Sequence, residues 1–147
     1  ILTLKNLPFA VAPLKVIAGD REFVDDAALD VDAMVKWFRN YKVKSKTSCP
    51  NPGDWLEAFG DADDIFCVTI TSNLSGSYAS AQQAKAIFEE NNPDAKVYVV
   101  DSLGASMGQG LMCWYVAKKA QEGVSLEELR DEIRRNADQT REYFREN

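Results

Sequence analysis

The chain has 147 residues and a net charge of −6, with 46% of its residues hydrophobic and 27% charged. That is one domain's worth of protein with enough apolar content for a core, which excludes intrinsic disorder. The acidic balance, with no basic stripe evident, disfavours nucleic acid as a partner. No apolar run approaches the roughly 18 residues that a membrane span needs, and the first residues lack the basic, apolar, small-residue order of a signal peptide.

From the N-terminus, Ile1 to Pro8 fits no element. Phe9 to Ala18 reads as a strand in which Pro13 marks an edge or a bulge. Gly19-Asp20 is a turn and Arg21 to Val24 a short returning strand, together a hairpin. Asp30 is placed to cap a helix from Val31 to about Tyr41, whose Val31, Met34, Val35 and Phe38 follow the spacing of one buried face. Lys42 to Lys46 reads as a basic loop, followed by Thr47-Ser48-Cys49-Pro50. Asn51 as cap, with Pro52 at the first helical position, starts a short helix through Trp55, Leu56 and Phe59 that Gly60 ends.

Ile65 to Ile70 is a core strand that empties into Thr71-Ser72-Asn73-Leu74-Ser75-Gly76-Ser77, and a helix from Tyr78 to Glu90 follows at once. Lys96 to Val100 is a second core strand ending at Asp101-Ser102. Ala105 to Gln121 reads as a helix closed by Gly123. Ser125 to Glu128 forms a capping box for a charged helix to about Glu142, with Leu126, Leu129, Ile133 and Ala137 as its apolar stripe. Strands alternating with helices predict an α/β domain with a mainly parallel sheet and helices on both faces. In such sheets ligands bind beyond the carboxyl ends of the strands, where residues 72–77 and 101–106 lie.

Chemistry is narrowed by what is missing. With no histidine in the chain, a Ser-His-Asp triad, a Cys-His pair and a histidine metal ligand are all excluded within it. Cys49, Cys67 and Cys113 form no CxxC pair, and Cys67 and Cys113 sit in apolar segments. They read as reduced thiols, which predicts a cytoplasmic location and no structural metal. The serines have neither a histidine base nor a Ser-x-x-Lys lysine, so no residue is assigned a catalytic role and no cofactor is expected.

Ser75-Gly76-Ser77 is the sharpest feature. Gly76 permits a tight turn, the two serines offer hydroxyls, and a helix N-terminus favours an anion by about 0.3–1 kcal/mol. Serine is also a preferred helix cap, so capping competes with ligand binding as the explanation. Thr47-Ser48 is a second hydroxyl pair. Ser102 and Ser106 at the next strand end are candidates for the same pocket or for a cap. Three functions stay open on these residues: a carrier binding an anionic head group, a phosphate- or nucleotide-handling enzyme domain using the same turn, and a regulatory domain without lipid.

Four segments resemble the DegV family. Thr47-Ser48-Cys49-Pro50 with Pro52-Gly53 is similar to its TSxPSPG segment, and Thr69 to Tyr78 to its ISSxLSGTYQSA segment. Val99 to Ser102 with Ser106 to Gly110 resembles VIDSxxxSxGxG, and Pro13-Leu14, Gly19-Asp20 and Phe23 to Asp25 resemble PLxIxxGxxxYxDG. The resemblance implies a bacterial cytoplasmic protein that binds a long-chain fatty acid and presents it to a fatty acid kinase. It implies a fold of two α/β domains, of which residues 1–147 would be the first. At matching positions Thr47 and Ser48 would face the carboxylate, with Ser75 and Gly76 donating from the turn and Ser77 standing where the family has threonine. The family's opening strand, ending in Thr-Asp-Ser, has no match in Ile1 to Asn6, and its second domain none before Asn147. Residues 1–147 alone are therefore expected to bind palmitate poorly.

Overall fold

The computed structural model describes the backbone of residues 7–146 and the side chains of residues 7–136. The expectations on Ile1 to Asn6 and on the Ala137 side chain lie outside these. In the N-terminal part β1 (Lys15–Ala18) and β2 (Arg21–Val24) form the expected hairpin around Gly19, whose φ of +64° suits the turn. The strand is shorter than Phe9 to Ala18, starting only after Pro13, which cannot donate to a ladder. Helix α1 (Val31–Asn40) starts at Asp30, whose carboxylate accepts the Ala33 amide at 2.8 Å.

The Lys42 to Lys46 loop is corrected in part. Ser45–Ser48 is a strand, β3, paired antiparallel with the free side of β1, so that Ala18 faces Ser45 and Lys15 faces Ser48. Neither alternation nor apolar content marks Ser-Lys-Thr-Ser as a strand; the open hydrogen-bonding edge of β1 recruits it, and its lysine is what an exposed edge carries. Among the described residues the sheet runs β2-β1-β3. Helix α2 (Pro52–Phe59) has a reciprocal cap: Asn51 Oδ1 accepts the Asp54 amide at 3.1 Å and Asp54 accepts the Asn51 amide at 2.7 Å.

The α/β part follows. Strands β4 (Asp64–Thr69) and β5 (Lys96–Asp101) pair in parallel, and among the described residues the parallel pairing is confined to them. Helix α3 (Ser77–Asn91) links them, and α4 (Met107–Gln121) and α5 (Leu126–Glu146) follow β5. Both faces of the pair are covered, as the apolar strands require. Cys67 and Val97 point into a core with Phe59 of α2 and Ala81, Ala84 and Phe88 of α3. Val100 points the other way, onto Val116 of α4 and Leu129 and Ile133 of α5. Ser125 caps α5 by accepting the Glu128 amide at 3.2 Å. Helix α4 starts two residues later than the pattern predicts, because Leu103 and Ser106 hold φ of +53° and +54°. Such left-handed conformations at non-glycine residues each cost about 1–3 kcal/mol.

Candidate functional site

The turn after β4 is built by its own backbone and by Asp101. The Thr71 carbonyl accepts the amides of Leu74 (3.0 Å) and Ser75 (3.2 Å), curling the chain back towards α3. Asp101, at the end of β5, takes the Ser72 hydroxyl at 2.5 Å and the Ser72 amide at 3.2 Å on one oxygen, and the Leu103 amide at 2.9 Å on the other. The Thr71 amide donates to the Gly104 carbonyl at 2.9 Å. The loops at the carboxyl ends of β4 and β5 are thereby tied into one surface. Ser72 and Asp101 hold that surface together.

Ser75, Gly76 and Ser77 form the floor of the turn. Gly76 is the N-cap of α3 and makes no side-chain cap bond. Ser75 Oγ instead accepts the Ser77 amide at 3.2 Å and lies 2.9 Å from the buried Ser77 Oγ. When the Ser77 hydroxyl donates, both lone pairs of Ser75 are filled and its single O–H is left to point outward. Capping and ligand donation are then compatible at one residue. Among the described residues the amides of Gly76, Tyr78 and Ala79 have no acceptor, as expected for the first turn of a helix.

The second hydroxyl pair reaches the same place. A Cβ built on Gly76 would lie 3.2 Å from Cys49 Sγ, so the absent side chain is what lets the two segments touch. Ser80 of α3 donates to the Pro50 carbonyl at 2.7 Å and locks the approach. Thr47 is exposed on β3, and the half-buried Ser48 spends its hydroxyl on the Cys49 carbonyl at 3.3 Å. Through Cys49 and Pro50 the end of β3, which carries Thr47 and Ser48, meets the turn of Ser75, Gly76 and Ser77 at one corner. Ser102 and Ser106 stand on the adjoining loop with different tasks. Ser102 Oγ is occupied by Gly104, donating to its carbonyl at 3.0 Å and accepting its amide at 3.3 Å. Ser106 is exposed at the N-cap of α4 and makes no side-chain cap bond.

Two features of this corner have no signal in residue spacing. Cys49 packs on Gly76, and apolar side chains border the turn. Leu74 within it is 69% exposed and Met107, at the start of α4, 78%. Leu111 and Trp114 continue the exposed stripe one and two turns along α4. Exposed apolar side chains at helical spacing, beside a polar turn, form an amphiphilic surface. A separate cavity of about 470 Å³ lies between α2, β4 and α4, with Trp55, Phe66, Cys113 and Val116 in its wall and none of the corner's residues. Burial pushes the Cys67 thiol up to about 12, with Cys113 adding to the shift, which leaves Cys67 protonated and inert.

Residues 2–145 match a family model described as an uncharacterised protein, DegV family. A DegV domain-containing protein of Streptococcus pneumoniae is 41% identical over 139 residues, 95% of this chain and 50% of the relative. A DegV family protein from Eubacterium eligens, solved loaded with heptadecanoic acid, superposes with a TM-score of 0.85 at 38% identity. It is matched over 90% of this chain and 48% of its own. The Fatty Acid Kinase (Fak) B3 protein of Streptococcus pneumoniae, loaded with linoleic acid, gives 0.80 at 39% identity, over 89% of this chain and 49% of its own. The chain spans about half the length of the curated relatives it matches.

Proposed function

This chain belongs to the DegV family, and on that footing we propose that the corner at Ser75 binds the carboxylate of a long-chain fatty acid. The observation that carries the reading is the pairing of donors with apolar surface. The Ser75 hydroxyl and the amides of Gly76, Tyr78 and Ala79, which have no acceptor among the described residues, share a turn with exposed Leu74, and the loop tied to that turn leads to exposed Met107. A carboxylate takes the donors and the first methylenes of its chain take the apolar border. Thr47 adds a hydroxyl from the facing segment, and Ser48 can add its own only by releasing the Cys49 carbonyl. Ser77 acts through Ser75, holding it in position.

Binding without catalysis is the role these groups support, since the chain has no histidine to serve as base. The protein then works as a carrier, and the solved relatives that hold fatty acids support presentation of the acid to a fatty acid kinase. The share of each relative that is matched supports placing the chain as the first of two α/β domains. The free thiols Cys49, Cys67 and Cys113 suit the reducing cytoplasm. Extraction of the purified protein followed by mass spectrometry tests the ligand. A stoichiometric long-chain fatty acid is expected from the full-length, two-domain protein and little from residues 1–147 alone; a nucleotide or phosphorylated metabolite in its place overturns the reading in favour of a phosphate-handling domain.

A further inference from the structure

A second surface, on the N-terminal part, has a chemistry of its own. From residue 36 to residue 46 the chain carries Lys36, Arg39, Lys42, Lys44 and Lys46 and no acidic residue, although the net charge of the protein is −6. Every residue from Arg39 to Thr47 is exposed. Among the described residues none of the five cations forms an ion pair. Of the acids of this region, Asp25, Asp26, Asp30 and Asp32 gather at the other end of α1, while Asp20 and Glu22 lie on the β1–β2 hairpin, where Glu22 pairs with Lys15.

Apolar and aromatic groups are interleaved with these cations. No residue of α1 is fully buried, Val31 is 54% and Tyr41 55% exposed, and Val35 and Val43 also face solvent. Trp37 is held rigidly, its ring 5.5 Å from that of Phe23 and stacked at 5.0 Å on Tyr41, with the Arg21 guanidinium 5.6 Å from its centroid. The alternation Tyr41-Lys42-Val43-Lys44 asks for an apolar phase and anionic groups within a few ångströms of each other. A bilayer interface supplies both without shape complementarity, taking aromatic and aliphatic groups below the headgroups and cations among them. A phosphate backbone offers nothing to Val35 or Val43.

We propose that the C-terminal half of α1 and the arm from Tyr41 to Lys46 dock the protein on an anionic lipid bilayer. The arm runs directly into β3, so a docked protein holds Thr47 and Ser48 close to the lipid surface. The docking does not depend on what those residues bind.

The test is co-sedimentation of the 147-residue chain with vesicles of phosphatidylglycerol in phosphatidylcholine, at rising phosphatidylglycerol content and rising salt. Binding is expected to grow with the anionic lipid and to fall with salt. Each charge removed weakens it about fivefold, so a Lys42→Gln/Lys44→Gln variant binds about 25-fold less. Tyr41→Ser/Val43→Ser is expected to weaken binding while leaving its salt dependence in place. The two lysines are exposed, so their variant melts within a degree or two of the parent; losing the Tyr41–Trp37 stack lowers the other by about 1–6 °C, and binding is measured well below both. Binding to neutral vesicles as strong as to anionic ones, no vesicle binding, or variants that bind like the parent overturns the proposal. Capture by polyglutamate without vesicle binding also overturns it and points to an acidic protein partner. Fatty acid content, measured on the same substitutions in the full-length protein in solution, is expected to be unchanged, which separates this result from the carboxylate site.

Discussion

Replacing Ser75 with alanine separates the two tasks of its hydroxyl. In the folded chain Ser75 Oγ accepts the Ser77 amide at 3.2 Å and lies 2.9 Å from Ser77 Oγ. Losing a helix-capping acceptor costs about 1 kcal/mol, and stranding the buried Ser77 hydroxyl adds up to about 1 kcal/mol more. At roughly 2–4 °C per kcal/mol for a chain of this size, the melting temperature is expected to fall by about 2–8 °C. If the outward O–H also donates to a carboxylate, a charged hydrogen bond of about 1.5–3 kcal/mol is lost as well. Fatty acid affinity then drops about 10- to 150-fold. The assay is displacement of a fluorescent fatty acid, run well below the variant's melting temperature so that unfolding takes no part. Ser75→Thr keeps the hydroxyl and is expected to recover most of both losses. A Ser75→Ala variant with the lowered melting temperature but unchanged affinity refutes the reasoning, since the hydroxyl would then be a helix cap and nothing more.

Three further outcomes follow from individual contacts. Gly76→Ala puts a Cβ 3.2 Å from Cys49 Sγ; it is expected to lower stability and affinity together, and Cys49→Ala in the same chain to restore both, a coupling of about 0.5–3 kcal/mol in a double-mutant cycle of denaturant melts. Partial burial works against ionisation of Glu89, but its hydrogen bond from Lys85, the Val97 amide and the Lys85 charge outweigh that and hold its carboxyl below 4.5. Its contribution to stability is therefore present above that pH and lost as pH falls through the folded-state pKa, so Glu89→Gln is expected to flatten this part of the acid limb in thermal melts between neutral pH and pH 3. With its thiol pushed up to about 12, Cys67 is expected to resist iodoacetamide at pH 8 in the native chain and to react in denaturant, read by mass spectrometry of the alkylated peptides.

The elements that local chemistry dictates were legible in the residues. Asp30 and Asn51 cap α1 and α2 where the pattern puts them, because an Asx side chain before a periodic segment satisfies amides that nothing else can reach. The apolar runs of β4 and β5 announce a sheet covered on both faces, and α2, α3, α4 and α5 cover it. Strand β3 was not legible. Ser45 to Ser48 has no period-two pattern, and it is extended only because β1 presents an open edge to it. The start of α4 was also hidden, since the left-handed backbone at Leu103 and Ser106 answers to the Asp101 and Gly104 contacts around it and not to residue type.

At the candidate site, composition located the hydroxyls without showing how each is used. Six hydroxyl or amide residues from Thr69 to Ser77 look equivalent in the string. In the fold Thr69 is buried and donates to the Val100 carbonyl, Ser72 is bound to Asp101, and Ser77 supports Ser75. What remains for a ligand in this segment is the hydroxyls of Thr71 and Ser75, the Asn73 side chain and a few amides, a donor set that suits an anion. The apolar border at Leu74 and Met107 narrows the choice of anion, because a phosphorylated metabolite would leave it in water while an acyl chain covers it. The exposed apolar surface thus favours a fatty acid among readings that the serine-rich string alone leaves equal.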